Sequence, residues 1–245
     1  MIPKTIHYCW FGGNPLPESV RNCINSWKKY CPDYEIIEWN ESNYDVHKIP
    51  YISEAYKNKK YAFVSDYARL DIVYSEGGFY LDTDVELLKP LDDLLDENCY
   101  FGMEQIGRVN TGIGFGAEKG HPFIKENMRQ YENSFFNSKL LETCVDITTN
   151  LLLSKGLLQE NFYQKVNGMS IYPTDFFCPF SMETRKLNIT KNTYSIHHYD
   201  STWYGNGFSA KIKKILLPIK IRCRILIDKY LGTGAYDKIK NSIKR

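Results

Sequence analysis

The sequence lacks any apolar run long enough to cross a lipid bilayer. A membrane-spanning helix takes about 20 consecutive apolar residues, and one of the longest apolar runs here, residues 215–219, is interrupted by Pro218. We also expect no secretory leader, because Met1 is followed almost at once by strand-forming residues. We therefore expect a protein that is cytoplasmic or, at most, peripheral on the inner face of the membrane.

The sequence also lacks the Cys-x-x-Cys pairs that are typical of zinc and redox sites. Its seven cysteines are odd in number and scattered along the chain. This spacing does not favour a disulfide framework of the kind found in secreted proteins. We expect thiols that are buried or idle, in a reducing compartment.

An excess of one sign of charge is missing from the chain as a whole. With 31 Lys and Arg against 29 Asp and Glu, the formal charge is +2, which argues against a protein dedicated to nucleic acid. This average conceals two unequal parts. Residues 208–245 contain 11 Lys and Arg against 2 Asp and Glu, a net charge of +9, whereas residues 1–207 contain 20 against 27, a net charge of −7.

The basic segment 208–245 has apolar residues near helical spacing with Lys and Arg between them. Such a pattern is typical of an amphipathic helix on an anionic membrane surface. A helix that packs on the protein core and exposes a solvated basic face would show the same pattern, so both interpretations stay open. We divide the chain into a main domain, residues 1–207, and a basic amphipathic helical tail, residues 208–245.

Strand-like and helix-like segments alternate through the first 130 residues. Their order predicts an α/β fold with a mostly parallel, Rossmann-like sheet and flanking helices. Because ligands of such folds bind beyond the carboxyl ends of the strands, residues 10–13 and 82–84 are expected to line one crevice. The predicted strands are residues 5–11, 34–39, 79–81 and 85–88, and the predicted helices are residues 17–30 and 61–76.

Two aspartates, Asp82 and Asp84, flank Thr83 at the end of a predicted strand. Where the backbone turns, their carboxylates would offer hard oxygen ligands to Mg²⁺ or Mn²⁺ and leave positions open for phosphate oxygens. By chance alone, a chain with this aspartate content contains roughly one Asp-x-Asp triplet. The neighbouring residues therefore decide whether the triplet has a function.

Those neighbouring residues match a longer signature. Residues 65–84 contain Asp66, Arg69, a Gly-Gly pair and the Asp-x-Asp triplet in the order SDxxRxxxLxxxGGxYxDxD, which is typical of sugar-nucleotide glycosyltransferases. Residues 2–20, 110–122 and 197–203 are similar to segments of the same group. The chain thus resembles glycosyltransferase family 32, which has fungal outer-chain mannosyltransferases and bacterial capsule and lipopolysaccharide transferases as members, and the large glucosylating toxins as distant relatives.

The resemblance, which covers about residues 2–205, implies a GT-A fold with a divalent metal and a nucleotide-diphosphate sugar as donor. It also implies roles for single residues. Tyr8 and Trp10 would flank the nucleobase, and Asp66 and Arg69 would hold the donor sugar's hydroxyls. Asp66 and Arg69, spaced i and i+3, could also be an ordinary helical ion pair. Asn110 would lie near the donor sugar, or only support a turn.

For the metal, the resemblance implies that Asp82 contacts the ribose and a metal-bound water, and that Asp84 is a direct ligand. His198, Ser201 and Trp203 resemble the late loop that closes over the diphosphate. The toxins have an acidic ligand where this chain has His198, and imidazole favours Mn²⁺ over Mg²⁺. His197 and His198 cannot both face the site from one strand, and spacing favours His198. The predicted catalytic residues are Asp66, Arg69, Asp82, Asp84 and Trp203, and the predicted metal ligands are Asp82, Asp84, His198 and Ser201.

These features predict a metal-dependent, retaining glycosyltransferase that moves a hexose from a UDP-sugar to a surface polysaccharide or a lipid-linked oligosaccharide. In a retaining reaction of this kind, a donor phosphate oxygen takes the acceptor's proton. If a separate general base is used, Asp146 or Glu104 could serve. The tail would hold the enzyme on an anionic membrane surface.

Two alternatives compete with this hypothesis. A sugar-phosphate nucleotidyltransferase would usually have a glycine-rich phosphate loop after its first strand, and residues 12–15 are a poor match. A non-catalytic carbohydrate- or membrane-binding module could use the aspartates for Ca²⁺, but it would leave Asp66, Arg69 and Trp203 without a role. Two further residues are predicted to be structural, His7 in a buried strand and His121 at a helix start. Asp71 is predicted to be either a solvated or a structural residue of a helix.

Overall fold

The chain forms two compact units, residues 1–179 with 188–199 and residues 180–187 with 200–245. All the strands and helices that follow belong to the first unit. The tail, residues 208–245, lies outside the described residues except at single positions, so its helix and the boundary at residue 207 stay predictions. The computed structural model describes residues 1–137, 142–181, 184 and 186–199, together with single helical positions between 223 and 239.

The first unit contains strands and helices in alternation, with one short 3-10 turn at Asp92–Leu94. Its strands are β1 (Thr5–Cys9), β2 (Glu35–Trp39), β3 (Gly78–Tyr80), β4 (Val85–Leu87), β5 (Cys99–Gln105), β6 (Arg108–Ala117), β7 (Gln164–Val166), β8 (Met169–Tyr172) and β9 (Ser195–His197). Its helices are α1 (Glu18–Tyr30), α2 (Pro50–Lys57), α3 (Tyr61–Glu76), α4 (Pro122–Glu132), α5 (Cys144–Leu153) and α6 (Thr174–Phe177).

Seven of the strands form the main sheet, in the order β2-β1-β3-β6-β5-β8-β7. The pairs β1–β2, β1–β3 and β5–β8 are parallel, and the other three pairs are antiparallel. Five strands therefore point the same way, and β6 and β7 run against them. This confirms the predicted α/β fold with a mostly parallel sheet. A separate pair, β4 and β9, is antiparallel.

The sheet separates two hydrophobic cores. On β3, Phe79 packs into the core beneath α1 and α6, and the next residue, Tyr80, packs into the core beneath α2, α3, α4 and α5. Strand β1 alternates in the same way, because Tyr8 enters the first core and Cys9 the second. Side chains on a strand point alternately to opposite faces, so helices cover both faces of the sheet.

The glycine pair after α3 allows the chain to turn directly from helix into strand. Gly77 and Gly78 have φ values of 72° and 98°, a region that residues with a side chain rarely adopt. A Cβ on Gly78 would also lie 2.7 Å from the Thr5 carbonyl oxygen on the neighbouring strand. The Gly-Gly of the signature is thus required for α3 to be followed immediately by β3 beside β1.

The observed elements differ from the predicted ones mainly at their ends. Helix α3 has the predicted bounds, whereas α1 begins one residue late because Pro17 is its N-cap. Helix α2 was not predicted. The predictions for two histidines are confirmed, since His7 is fully buried with its Nε2 2.9 Å from the Gly77 carbonyl, and His121 is the N-cap of α4.

Of the two alternatives for Asp71, the structure supports a structural residue. It is buried, with its Oδ2 2.6 Å from the Lys48 ammonium and accepting from the Tyr44 hydroxyl at 3.0 Å. None of the cysteines is disulfide-bonded within the part of the chain that the structure describes. Across those same residues, no helix combines the length and apolar character needed to cross a bilayer.

Candidate active site

The carboxyl ends of β1, β3 and β5 lie at one edge of the main sheet, because these three strands point the same way. Where β3 ends, the Leu81 N–H donates to the His7 carbonyl on β1 at 3.1 Å. The segments that follow β1 and β3, residues 10–13 and 82–84, are therefore at the same edge, as predicted. The candidate site lies at this edge.

Arg69 connects α3 to the Asp-x-Asp turn. Its Nη2 lies 3.1 Å from Oδ1 of Asp66 and 3.1 Å from Oδ1 of Asp82. Arg69 and Asp66 are buried, whereas the Asp82 side chain is 30% exposed. Asp66 and Arg69 are thus more than an ordinary helical ion pair, because the same guanidinium nitrogen also holds the first aspartate of the motif.

Three further side chains hold the Arg69 guanidinium in place. Its Nη1 donates to the Thr111 hydroxyl at 3.2 Å and to the Cys144 sulfur at 3.5 Å, and its central carbon lies 5.1 Å from the centre of the Tyr80 ring. The Tyr80 hydroxyl donates to Oδ1 of Asp82 at 3.1 Å. These contacts leave the guanidinium a single orientation, in which it faces both aspartates.

Asp82 lies directly against the backbone of β6. Its N–H donates to the Gly112 carbonyl at 2.9 Å, and a Cβ on Gly112 would overlap its Oδ2. Asn110 holds the same part of β6, because its Oδ1 accepts the Gly112 N–H at 2.6 Å and its Nδ2 donates to Oε2 of Glu104 at 2.8 Å. Asn110 therefore supports a strand and not a turn, and its predicted place near the donor sugar stays a proposal.

Asp84 faces β9 at the other side of the turn. Its Oδ1 lies 3.3 Å from Nε2 of His197, and its carbonyl accepts the His198 N–H at 2.9 Å. Since β9 pairs with β4, strand alternation turns His197 inward and His198 outward, where Nε2 of His198 lies 2.8 Å from Oε2 of Glu86. The expectation that His198 faces the site is therefore wrong, and His197 occupies that place.

Burial and like charge make negative charge costly in this crevice. Burial raises the pKa of Asp66 to about 6, with a further contribution from Asp82 and an opposing one from Arg69. Burial also raises the pKa of Asp82, against the effect of Arg69. For His197, burial lowers the pKa, but the Asp84 carboxylate outweighs burial and holds the pKa well above its usual value. A cation that entered beside the aspartates would relieve this cost.

The Asp82–Asp84 turn fits a hard divalent cation that is bound partly by the protein and partly by the phosphates of a substrate. Both carboxylates are only partly buried and belong to one turn. Mg²⁺ is usually held in this way, by one or two carboxylates with substrate phosphates and waters completing its shell. Within the described ranges, no three Asp, Glu, His or Cys side chains converge into a metal cage made by protein alone. Donor phosphates would have to complete the coordination.

The sequence is similar to known glycosyltransferases. A family profile described as "Glycosyltransferase sugar-binding region containing DXD motif" matches residues 17–101. The uncharacterized glycosyltransferase L373 of Acanthamoeba polyphaga mimivirus is 30% identical over 219 residues, which cover 83% of this chain and 84% of the viral protein. The chain belongs to the DXD-motif glycosyltransferase family. The resemblance to family 32 is confirmed.

Other relatives match part of their length. Inositol phosphoceramide mannosyltransferase 1 of Schizosaccharomyces pombe is 30% identical over 151 residues, which are 55% of this chain and 45% of that protein. The chain thus spans less than half the length of this relative. Among solved structures, PaToxG glycosyltransferase superimposes with a TM-score of 0.50 at 18% identity, covering 63% of this chain and 69% of that one. This likeness shows the fold and confirms the predicted GT-A type.

In this member of the family, the two aromatic residues predicted to flank a nucleobase have different surroundings. Trp10 is half-buried, and its indole N–H donates to the Asn14 carbonyl at 2.6 Å. Tyr8 is 6% exposed, packs edge-on against Trp27 and donates its hydroxyl to Glu38 at 2.7 Å. The prediction for Tyr8 is corrected, because strand alternation sends its ring into the core. Trp10 keeps its predicted role as a proposal.

Two predicted site residues, Ser201 and Trp203, lie outside the described residues, so their roles stay predictions. The structure also adds four residues to the site that were not predicted from the sequence. Tyr80 and Thr111 could have been predicted, because both lie in segments that match the family signature. Cys144 lies outside those segments, and His197 was not predicted because spacing favoured His198.

Proposed function

We propose that the chain is a metal-dependent, retaining glycosyltransferase that transfers a hexose from a UDP-sugar to a glycan or lipid-linked oligosaccharide. The observation that carries this proposal is the contact of one buried arginine nitrogen with both Asp66 and Asp82, in the turn that ends with Asp84. Family membership supports sugar transfer as the reaction. The metal, the donor, the acceptor and the retention of configuration are proposals.

The two aspartates of the motif would hold the metal. Asp82 and Asp84 would supply carboxylate oxygens, which suit Mn²⁺ as well as Mg²⁺, and donor phosphates would complete the coordination. His197, with its Nε2 3.3 Å from Oδ1 of Asp84, would position that carboxylate. When bound, the metal would neutralise the negative charge that develops on the departing diphosphate.

The donor sugar would lie against α3, where Asp66 and Arg69 would bind its hydroxyls. Arg69 is already held by Thr111, Cys144 and Tyr80, so little side-chain entropy remains to be lost when the sugar binds. A fixed guanidinium also needs no reorganisation as charge develops during the reaction. This preorganisation is the contribution of the chain itself to the transfer step.

A retaining transfer in which a donor phosphate oxygen takes the acceptor's proton needs no general base from the protein. Of the two residues named for that role, Asp146 is engaged elsewhere. Its Oδ1 lies 2.6 Å from Nη2 of Arg108, and the residue completes the capping box of α5. Glu104 lies beside Asn110 at the candidate site.

The names of the relatives bear on the acceptor and the donor sugar. The S. pombe relatives are named as inositol phosphoceramide mannosyltransferases, which supports a lipid-borne acceptor and adds mannose to the hexoses to be tested. A lipid-borne acceptor also agrees with a basic tail, residues 208–245, on an anionic membrane surface. The capsule or lipopolysaccharide setting is proposed on the family resemblance.

The experiment is to incubate the chain with Mn²⁺ and a panel of UDP- and GDP-sugars, and to measure the nucleotide released. Release of UDP from one donor supports the transferase. Release of pyrophosphate from a sugar phosphate and nucleoside triphosphate supports the nucleotidyltransferase. An absence of turnover, together with Ca²⁺-dependent retention on glycans, supports the binding module.

Asp84→Ala should abolish Mn²⁺-dependent nucleotide release while the chain stays folded, because it removes a predicted direct ligand. The matched control is Asp96→Ala, an exposed aspartate before the amino end of β5, at the opposite edge of the sheet. The control should keep full activity. Activity in Asp84→Ala equal to that of the native chain would remove the metal assignment.

A further inference from the structure

A β-bulge places another carboxylate, Glu104, at the same edge of the sheet. Met103 pairs with Val109 and Gln105 pairs with Arg108, so Glu104 is the extra residue on β5 with no partner on β6. A bulge re-aims the side chain of its extra residue, and bulges are frequent beside active sites. Glu104 is only half-buried, at the end of β5.

Glu104 is joined to the Asp-x-Asp turn through a short chain of contacts. Its Oε2 accepts from the Asn110 amide at 2.8 Å, and Asn110 in turn accepts the Gly112 N–H at 2.6 Å. Gly112 is the residue whose Cβ position is filled by the Asp82 carboxylate. The bulged carboxylate therefore belongs to the wall of the crevice.

Each of the other carboxylates of the crevice lies against Arg69 or His197, and Glu104 has no such partner among the described residues. Arg69 lies against Asp66 and Asp82, and His197 lies against Asp84. Within the described part of the chain, no Lys, Arg or His forms an ion pair with Glu104, whose hydrogen bond is to a neutral amide. A carboxylate can accept about four hydrogen bonds, so this one retains capacity for hydroxyl donors.

We propose that Glu104 accepts a hydrogen bond from a hydroxyl of the acceptor sugar and so selects which acceptors the enzyme uses. This inference rests on the proposed transferase function. The metal is assigned to Asp82 and Asp84, and the donor sugar is assigned to Asp66 and Arg69. The acceptor is therefore the ligand that remains for the half-exposed Glu104 carboxylate in the same wall. Hydrogen bonds to a charged group are the stronger ones, so the loss should be measurable.

The test is Glu104→Gln, which keeps an oxygen to accept from Asn110 and removes only the charge. The probes are methyl glycosides of glucose, galactose and mannose, added to the chain with Mn²⁺ and the donor it turns over. We expect kcat/KM for the stimulating glycoside to fall about 10- to 100-fold, in the range for a hydrogen bond to a charged group. Hydrolysis of the donor in water alone should fall less than this, because the lost hydrogen bond is to the acceptor.

The matched control is Glu118→Gln, a half-exposed carboxylate just beyond the far end of β6, which should behave as the native chain. The inference is overturned if Glu104→Gln responds to the glycosides as the native chain does, or if donor hydrolysis falls equally. It is also overturned if no glycoside stimulates a native chain that hydrolyses its donor. A native chain that turns over no sugar nucleotide contradicts the proposed function itself, and this inference with it.

Discussion

Arg69 determines the geometry of the crevice more than any other single residue described. Its guanidinium joins two carboxylates, and it is itself held by Thr111, Cys144 and Tyr80. Removing one partner of a buried ion pair typically costs about 3 to 5 kcal/mol, because an uncompensated charge is left behind. A substitution of Arg69 would therefore confound stability with function. Gly112 offers a cleaner change.

Gly112→Ala should weaken metal and donor binding without unfolding the chain. The new Cβ would overlap Oδ2 of Asp82 and force that carboxylate to turn away. We expect the affinity for Mn²⁺ to fall at least about tenfold, equivalent to about 1.4 kcal/mol. The measurements are Mn²⁺ titration by electron paramagnetic resonance and a thermal melt.

The control for this change is Gly168→Ala, in the turn between β7 and β8. Gly168 has a φ of 82° and no atom within 4 Å of its Cβ position, so alanine there strains the backbone without crowding a neighbour. This variant should lose some stability and keep its Mn²⁺ affinity. Native Mn²⁺ affinity in Gly112→Ala would show that the close approach of Asp82 is not needed for the site.

At the scale of elements, the start of α5 helps to hold the buried Arg69 of the site. Thr143 and Asp146 form a capping box, and Arg108 on β6 holds Asp146 from the side. The first residue of the helix, Cys144, reaches Arg69. A helix of ten residues is marginal without its cap, so the capping box also keeps the Cys144 contact in place.

Thr143→Ala should lower the free energy of unfolding by about 1 kcal/mol, the usual cost of losing an N-cap side chain. Ser154→Ala, at the other end of the same helix, is the control and should change stability by less than about 0.5 kcal/mol. Urea unfolding of both variants measures the difference. Equal stabilities would mean that the capping box does not stabilise α5.

On the scale of the whole molecule, negative and positive charges are concentrated in different parts of the chain. Residues 1–207, which include the carboxylates of the crevice, have a net charge of −7, and residues 208–245 have a net charge of +9. A cluster of acidic residues is suited to a divalent cation that then holds a diphosphate. A basic segment on the same chain is suited to anionic lipid, so one molecule combines both requirements of the proposed reaction.

Replacing Lys211, Lys213 and Lys214 with Gln should reduce sedimentation with phosphatidylserine vesicles and leave donor hydrolysis unchanged. Each lysine near an anionic surface contributes about 1 kcal/mol, so the affinity should fall roughly 100-fold at low salt. The control replaces three lysines in and after α2: Lys57, Lys59 and Lys60. Equal vesicle binding by both triple variants would favour the alternative in which the tail only packs on the core.

The order of the elements from β1 to β4, apart from α2, and the core of the site could be predicted from local sequence. Helix α3 has the predicted bounds because its apolar residues end at a glycine pair that no other residue could replace at these φ values. The positions of Asp66 and Arg69 on one face of that helix follow from helical spacing. The Asp-x-Asp turn follows from the end of β3. These features depend on residues close together in the chain.

What only the tertiary structure decided depends on strand register between distant segments. His197 rather than His198 meets Asp84 because of how β9 pairs with β4, more than 100 residues earlier. A shift of one residue in that pairing would exchange the two histidines. In the same way, Glu104 reaches the crevice because it is an extra residue of β5 between the pairs Met103–Val109 and Gln105–Arg108. The sequence by itself determined which residues are available, and long-range pairing determined which of them meet.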